Sequence, residues 1–263
     1  MRGNEKETIK FILENKKHVN LKYIGKIKTI QIPHQDKKIE VTNDNLDDFY
    51  SDDAYKKADI YLNDKGVSLK QEGGNFAFNR LQRQYLPNLF EKILKIKDAK
   101  KIISKIDSKI KIFHNQKEDE EDNRNFSPLD VMTKEQFNTV LKYLMLEGSQ
   151  DKKSQFPADY ILTSKKKISS TDDLRIFNFE EYLNLNSLNN DFARRRSWVG
   201  QSSDTEHKRA QGFFKIEENK EWCFNDVSGL PRVSKKTKKR WRDEISEAER
   251  KTCYYLMIET KKK

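Results

Sequence analysis

Long apolar runs are missing from this chain. No stretch approaches 18 consecutive apolar residues, and a transmembrane helix is therefore not expected. The first residues, Met1-Arg2-Gly3-Asn4-Glu5-Lys6, lead into a charged segment rather than the apolar core of a secretory signal. Cysteine is scarce as well. Cys223 and Cys253 are too few for a disulfide scaffold or a Cys-rich zinc site. The expectation is a soluble cytoplasmic protein with reduced thiols and no membrane partner. The four histidines, His18, His34, His114 and His207, are scattered, and none forms an H-x-x-x-H pair. Neither a P-loop nor a G-x-G-x-x-G turn is present, so no nucleotide cofactor is expected.

Charge and aromatic carbon are what the chain has in quantity. Lys and Arg number 53 against 42 Asp and Glu, a net charge of +11. Such an excess favours a polyanionic partner, either nucleic acid or an anionic membrane surface. A Lys-rich composition without functional meaning would give the same total. The 15 Phe, 10 Tyr and 3 Trp argue for a folded chain, because disordered sequences are poor in aromatics. At 263 residues the length allows one large domain or two small ones.

Local patterns alternate between strand and helix. Residues 5–16 read as a short helix carrying Ile9, Phe11 and Ile12. A hairpin is expected from the alternating residues 27–32 and 39–42 around Pro33-His34-Gln35-Asp36. A second is expected from Ala58–Leu62 and Val67–Gln71 around Asn63-Asp64-Lys65-Gly66. Leu89, Ile93, Ile96, Ile103, Ile106, Ile110 and Phe113 recur at helical spacing, as one long amphipathic helix or two shorter ones. The acidic run at 118–122 reads as a solvated loop. Thr133 to Gln136 fits a capping box. Strands are expected at 159–163 and 252–258, with an irregular stretch before the latter. The pattern predicts a mixed α/β fold, a central mixed β-sheet flanked by helices. The organisation expected is a core at 1–117 containing the hairpin 57–71, an acidic linker at 118–127, and a more irregular basic part at 128–263.

The second hairpin carries the sharpest chemistry. Strand side chains alternate, so Ser68 and Lys70 share one face, and pairing across the turn brings Asp59 towards Lys70. An aspartate beside a lysine at a sheet end suits metal-dependent phosphodiester cleavage. The carboxylate holds Mg²⁺, which polarises the phosphate and acidifies its water. The ammonium orients or deprotonates that water, or offsets developing charge. The Leu69 backbone carbonyl is a further hard oxygen ligand. An ordinary cross-strand ion pair is the alternative reading of Asp59 and Lys70.

Lys57-Ala58-Asp59-Ile60 followed by Ser68-Leu69-Lys70 resembles the motif of the PD-(D/E)XK nucleases, and in particular of type II restriction endonucleases, over about residues 55–84. In that family an aspartate starts one strand of a hairpin and an acidic-X-Lys triplet lies on the other. Ala58 stands here in place of the usual proline, and Ser68 in place of the second acid. The resemblance implies a nuclease-like core and a Ser-X-Lys variant that recruits a glutamate from elsewhere. The candidates are Glu72, Glu91 and Glu14, with Glu72 nearest in sequence. It implies an Mg²⁺-dependent, sequence-specific endonuclease of a restriction system, acting on double-stranded DNA and commonly as a homodimer. Asp59, Ser68 and Lys70 would be catalytic, and Asp59, Leu69 and Glu72 would bind metal.

Several polar and basic residues are candidates for holding DNA. Gln71, Asn75, Asn79, Arg80 and Arg83 follow the hairpin, beside Gly73-Gly74. Arg194, Arg195 and Arg196 lie near Trp198 and Gln201, as expected of a loop that reads base edges. Lys235, Lys236, Lys238 and Lys239 surround the approach to Trp241 as a phosphate-gripping cluster. A non-catalytic nucleic-acid-binding protein would keep these clusters without the Asp59–Lys70 pairing, and is the rival reading.

Overall fold

Asn63 and Asp64 both adopt positive φ, 48° and 66°, and this decides the central hairpin. Asn and Asp tolerate the left-handed region, and two such residues in succession match the twist of the strands they join. The turn is therefore this pair, the first half of the expected Asn63-Asp64-Lys65-Gly66 segment, with Leu62 paired to Lys65. Gly66 lies within the second strand. A Cβ there would stand 2.3 Å from the Pro157 carbonyl oxygen, so glycine serves a close backbone approach rather than the turn.

The computed structural model describes residues 4–49, 56–73, 80–115, 124–186, 190–198, 204–225 and 251–260. The acidic run at 118–122 lies outside them. In chain order the described elements begin with α1 (Glu5–Glu14), β1 (Asn20–Leu21), β2 (Gly25–Lys26), β3 (Ile30–His34), β4 (Lys37–Glu40), β5 (Ile60–Leu62) and β6 (Lys65–Gln71). Then follow α2 (Ala99–Asn115), β7 (Asn125–Phe126), α3 (Lys134–Lys142), β8 (Tyr160–Ser164), β9 (Leu174–Phe177) and α4 (Phe179–Asn186). Last come β10 (Asn190–Trp198), α5 (Asp204–Phe214), β11 (Cys223–Asn225) and β12 (Lys251–Thr260). The fold is mixed α/β, as the sequence pattern predicts. Among the described residues no helix is long and apolar enough to cross a membrane.

The chain forms two compact units, residues 1–76 with 139–189, and residues 77–138 with 190–263. Neither is contiguous, unlike the expected succession of 1–117, linker and 128–263. The reason lies in strand pairing. β6 pairs in parallel with β8, which is nearly ninety residues later in the chain. A parallel partner requires a long crossover, and here residues 77–138 of that crossover belong to the other unit.

The first unit holds a six-stranded sheet in the order β4-β3-β5-β6-β8-β9, antiparallel except at β6–β8. One face of it carries Ile30, Ile32, Ile60, Leu62, Val67, Leu69, Leu162, Leu174 and Ile176, clustered with Ile9 and Ile12 of α1. Each such side chain contributes about 1.5–3 kcal/mol on burial. α1 has no side-chain cap at Asn4. Instead Asn4 Nδ2 donates to Ser164 Oγ (3.1 Å) and the Lys165 carbonyl (2.8 Å), and Thr8 Oγ1 lies 2.9 Å from Ser164 Oγ. The helix start is thereby tied to the carboxyl end of β8, where Lys70 pairs with Thr163 and Gln71 with Ser164.

The second unit holds an antiparallel sheet in the order β11-β12-β10-β7. The single amphipathic pattern of 89–113 becomes a π-helical segment, Asn88–Ile93, and then α2. The break falls where Lys95 and Asp98 take positive φ of 51° and 59°. α3 opens on the expected capping box: Gln136 Oε1 accepts from Thr133 N at 2.9 Å and Thr133 Oγ1 from Gln136 N at 3.2 Å. Cys223 and Cys253, both unbridged, face each other across β11 and β12.

Candidate active site

Asp59 precedes β5 and belongs to its ladder through one bond, Asp59 N to the Val67 carbonyl (2.9 Å). The approach is fixed by Lys57 N and Ala58 N, which both donate to the Phe156 carbonyl, at 3.1 and 2.9 Å. The Asp59 side chain turns onto β6. Its Oδ2 accepts from Leu69 N at 2.6 Å and, at a long 3.4 Å, from Ser68 Oγ. A carboxylate thus takes the place of a backbone partner at the mouth of the hairpin. The sequence expectation that Asp59, Ser68, Leu69 and Lys70 share one neighbourhood corresponds to this geometry.

The electrostatics are unusual for an aspartate with two donors. Burial pushes the Asp59 carboxyl above its ordinary range. The Lys70 ammonium opposes that shift, and the negative charge of Glu5 adds to it. The Leu69 amide and the Ser68 hydroxyl pull downwards. Lys57 belongs to the same cluster. Burial and the Lys70 charge bring its pKa down to about 8 against the attraction of Asp59, while its Nζ donates to the Leu144 carbonyl at 2.8 Å. Two lysines and two carboxylates therefore act on one another around the hairpin mouth.

Glu5 is a carboxylate acting on Asp59 that sequence reasoning did not single out. It stands in the first turn of α1, the end tied to Ser164 and Lys165. Glu14, the helix residue considered from sequence, is nine positions further on, about 13 Å along the axis, and faces Lys10 at 4.0 Å. Glu72 is likewise directed elsewhere. Its N–H donates to the Ser164 carbonyl (2.8 Å) and its Oε1 stands 4.0 Å from Arg175 Nε. Glu91 lies in the Asn88–Ile93 segment of the second unit. No periodicity in the sequence marks Glu5. The signal is topological, because the start of α1 is fastened to the strand next to β6.

Among the described residues no group of three or more His, Cys, Asp or Glu could hold a metal ion. A closed protein cage is therefore excluded there. Mg²⁺ asks for less, one or two carboxylates with waters and phosphate oxygens completing the octahedron. Asp59 with Glu5 meets that demand in donor type. What touches Asp59 at Leu69 is the amide N–H.

The proposed DNA contacts divide sharply. Gln71 is exposed at the end of β6. Arg83 is a structural residue: its Nε and Nη2 donate to the two oxygens of Asp107, at 2.8 and 3.0 Å, and Asp107 also accepts from Trp222 Nε1 at 2.7 Å. The arginine triplet is not a loop. It lies in β10, paired with β12 along its whole length. Arg194 is buried and donates to the carbonyls of Arg124 (3.0 Å), Lys109 (3.0 Å) and Asn125 (3.3 Å), its guanidinium 4.2 Å from the Phe113 ring centroid. Arg195 pairs with Glu259, and Arg196 stands 4.7 Å from the Phe113 centroid. The charges hid the strand, since buried positions in β10 are filled by Arg194 as well as by Phe192 and Ala193. Arg80 lies over Tyr255. Asn75, Asn79, Gln201, Lys235, Lys236, Lys238 and Lys239 lie outside the described residues.

Comparison with known proteins adds no relative. No protein-family model matches the chain, and neither a curated protein nor a solved structure does.

Proposed function

We propose that this protein is a Mg²⁺-dependent, sequence-specific double-stranded DNA endonuclease of the PD-(D/E)XK kind, a type II restriction enzyme. One observation carries the reading. The half-buried carboxylate of Asp59 is held at the mouth of the β5–β6 hairpin by the Leu69 amide, with Lys70 and Glu5 acting on its charge. That is the arrangement the motif resemblance implies, an aspartate on one strand and X-Lys on the next. It goes with a strongly basic chain, net +11, suited to a polyanionic substrate.

Asp59 and Glu5 would hold the ion, and Mg²⁺ there would polarise the scissile phosphate and supply an acidified water. Both donors reach the same oxygen of Asp59, Oδ2, so Oδ1 would be the oxygen offered to the ion. Lys70 would place its ammonium beside the attacked phosphate and offset charge that develops there. Lys57, fastened to the Leu144 carbonyl, keeps a second positive charge near Lys70 and so favours an anion at that position. Two copies on a palindromic site would cut both strands, each copy contributing one such centre.

Incubation with plasmid DNA tests this, in Mg²⁺ and in EDTA. Discrete fragments with Mg²⁺ alone are expected. DNA binding with no cleavage in Mg²⁺ or Mn²⁺ would overturn the enzyme and leave the non-catalytic DNA-binding protein.

A further inference from the structure

Cys223 and Cys253 are register partners, the first in β11 and the second in β12. The Cα atoms of antiparallel partners stand about 4.5 or 5.5 Å apart, according to the kind of pair. Both values fall inside the span of about 4.4–6.8 Å that a disulfide bridges. The side chains meet as well. Cys223 Sγ donates to Cys253 Sγ at 2.8 Å, and Cys253 Sγ donates to the Ala210 carbonyl of α5 at 3.7 Å. Both residues are free thiols.

The two sulfurs differ in access. Cys253 is buried with Phe213 and Tyr255, whereas Cys223 is only partly buried, beside Phe214 and Met257. An oxidant from solution therefore meets Cys223 first. The hydrogen bond from Cys223 and then burial push the Cys253 thiol up, so it stays protonated while its neighbour is a thiol. Apolar surroundings of this kind penalise a thiolate and accept a neutral disulfide. A bridge here would also act on a weak element. β11 is an edge strand of its sheet and three residues long, and such short edges open at low cost.

We propose that Cys223 and Cys253 form a reversible oxidation site, a cross-strand dithiol that closes to a disulfide and staples β11 to β12. The oxidant is a low-molecular-weight disulfide. The Cys223 thiolate attacks one sulfur of the oxidant, the S–S bond of the oxidant breaks, and one small thiol departs with the proton that Cys223 gave up. The Cys253 sulfur then attacks Cys223 Sγ. A protein S–S bond forms, and the second small thiol departs with the proton of Cys253. Two protein thiols are oxidised and one small disulfide is reduced to two thiols. The cysteines are 30 positions apart, a span whose closure restricts the unfolded chain and stabilises the fold. Nothing in this chemistry depends on the nuclease reading.

The test is exposure of the folded, reduced protein to glutathione disulfide. Free thiols are counted with a chromogenic disulfide, intact mass is measured, and melting is followed before and after dithiothreitol. The parent should lose both thiols together, end lighter by two hydrogens with no glutathione attached, and stay a single chain on a non-reducing gel. Its melting temperature should rise by about 5 °C or more, and dithiothreitol should reverse every change. Cys253→Ala should hold one glutathione on Cys223, because the resolving thiol is gone. Cys223→Ala should keep its remaining thiol through the same exposure. If either variant melts early, the parent's thiol count and mass decide alone. Two surviving thiols, glutathione retained on the parent, or linkage between chains would overturn the site. A bridged form that melts no higher than the reduced one would overturn the staple.

Discussion

Asp173 accepts hydrogen bonds from the Ser169 amide (2.8 Å), the Ser169 hydroxyl (2.9 Å) and the Ser170 amide (3.1 Å), and pairs with Lys165. Asp59, in the same unit, accepts from one amide and, at longer range, one hydroxyl. The Lys165 bond and these serine donors hold the Asp173 carboxyl far below the usual range, whereas burial holds the Asp59 carboxyl above it. Both carboxylates close a turn or a strand end, and both have a lysine nearby. The difference is donor count against desolvation. Asp173 uses its charge to fasten the loop ahead of β9. Asp59 carries a charge that its surroundings penalise, and such penalised groups gather where a ligand later compensates them.

The sign of each pH effect follows. Asp173 is more acidic folded than unfolded, so its stabilisation is full above the ordinary carboxylate pKa and disappears as pH falls through the depressed one. Asp59 is the reverse. Its charged form is disfavoured in the fold, so it costs stability once pH rises past the ordinary carboxylate range.

The largest expected effect is at Asp59. Asp59→Asn should lower Mg²⁺-dependent cleavage at least about a thousandfold, because a neutral amide is a poor Mg²⁺ ligand. Its melting temperature at neutral pH should equal or exceed the parent's, since a penalised charge is removed and an amide oxygen can still accept from Leu69 N. A cleavage rate near the parent's, or a large drop in melting temperature, would make Asp59 a second Asp173. Lys70→Ala should lose cleavage by about a hundredfold or more with binding in Ca²⁺ retained. Retention of cleavage within about tenfold would remove Lys70 from the chemistry. Glu5→Gln should act more mildly and raise the Mg²⁺ concentration for half-maximal cleavage about tenfold. An unchanged Mg²⁺ dependence would remove Glu5 from the ion's ligands and reopen the search for the second acid. The smallest effect on activity belongs to Asp173→Asn. Cleavage per folded molecule should stay at the parental level, while the melting temperature falls by a few degrees at pH 7 and the gap to the parent narrows at low pH. A pH-independent gap would show that the charge of Asp173 is not what the loop uses.

The local half of this protein could be read from its sequence. Alternation in Ala58–Leu62 and Val67–Gln71 fixed a hairpin, because side chains on a pleated strand must sort to two faces. Thr133 and Gln136 announced a helix start through reciprocal caps that need only four residues. The neighbourhood of Asp59, Ser68, Leu69 and Lys70 followed from the same short-range geometry. The tertiary structure decided the rest. Glu5 comes to matter through Asn4 and Thr8 reaching Ser164, about 160 positions away, and no local pattern encodes such a meeting. Arg194 reads as a surface charge, yet three backbone carbonyls accept it inside the second unit. Periodicity reports which side of an element faces the core. Which charge a buried charge will meet depends on where distant strands pair, and that is settled only when β8 comes back to lie beside β6.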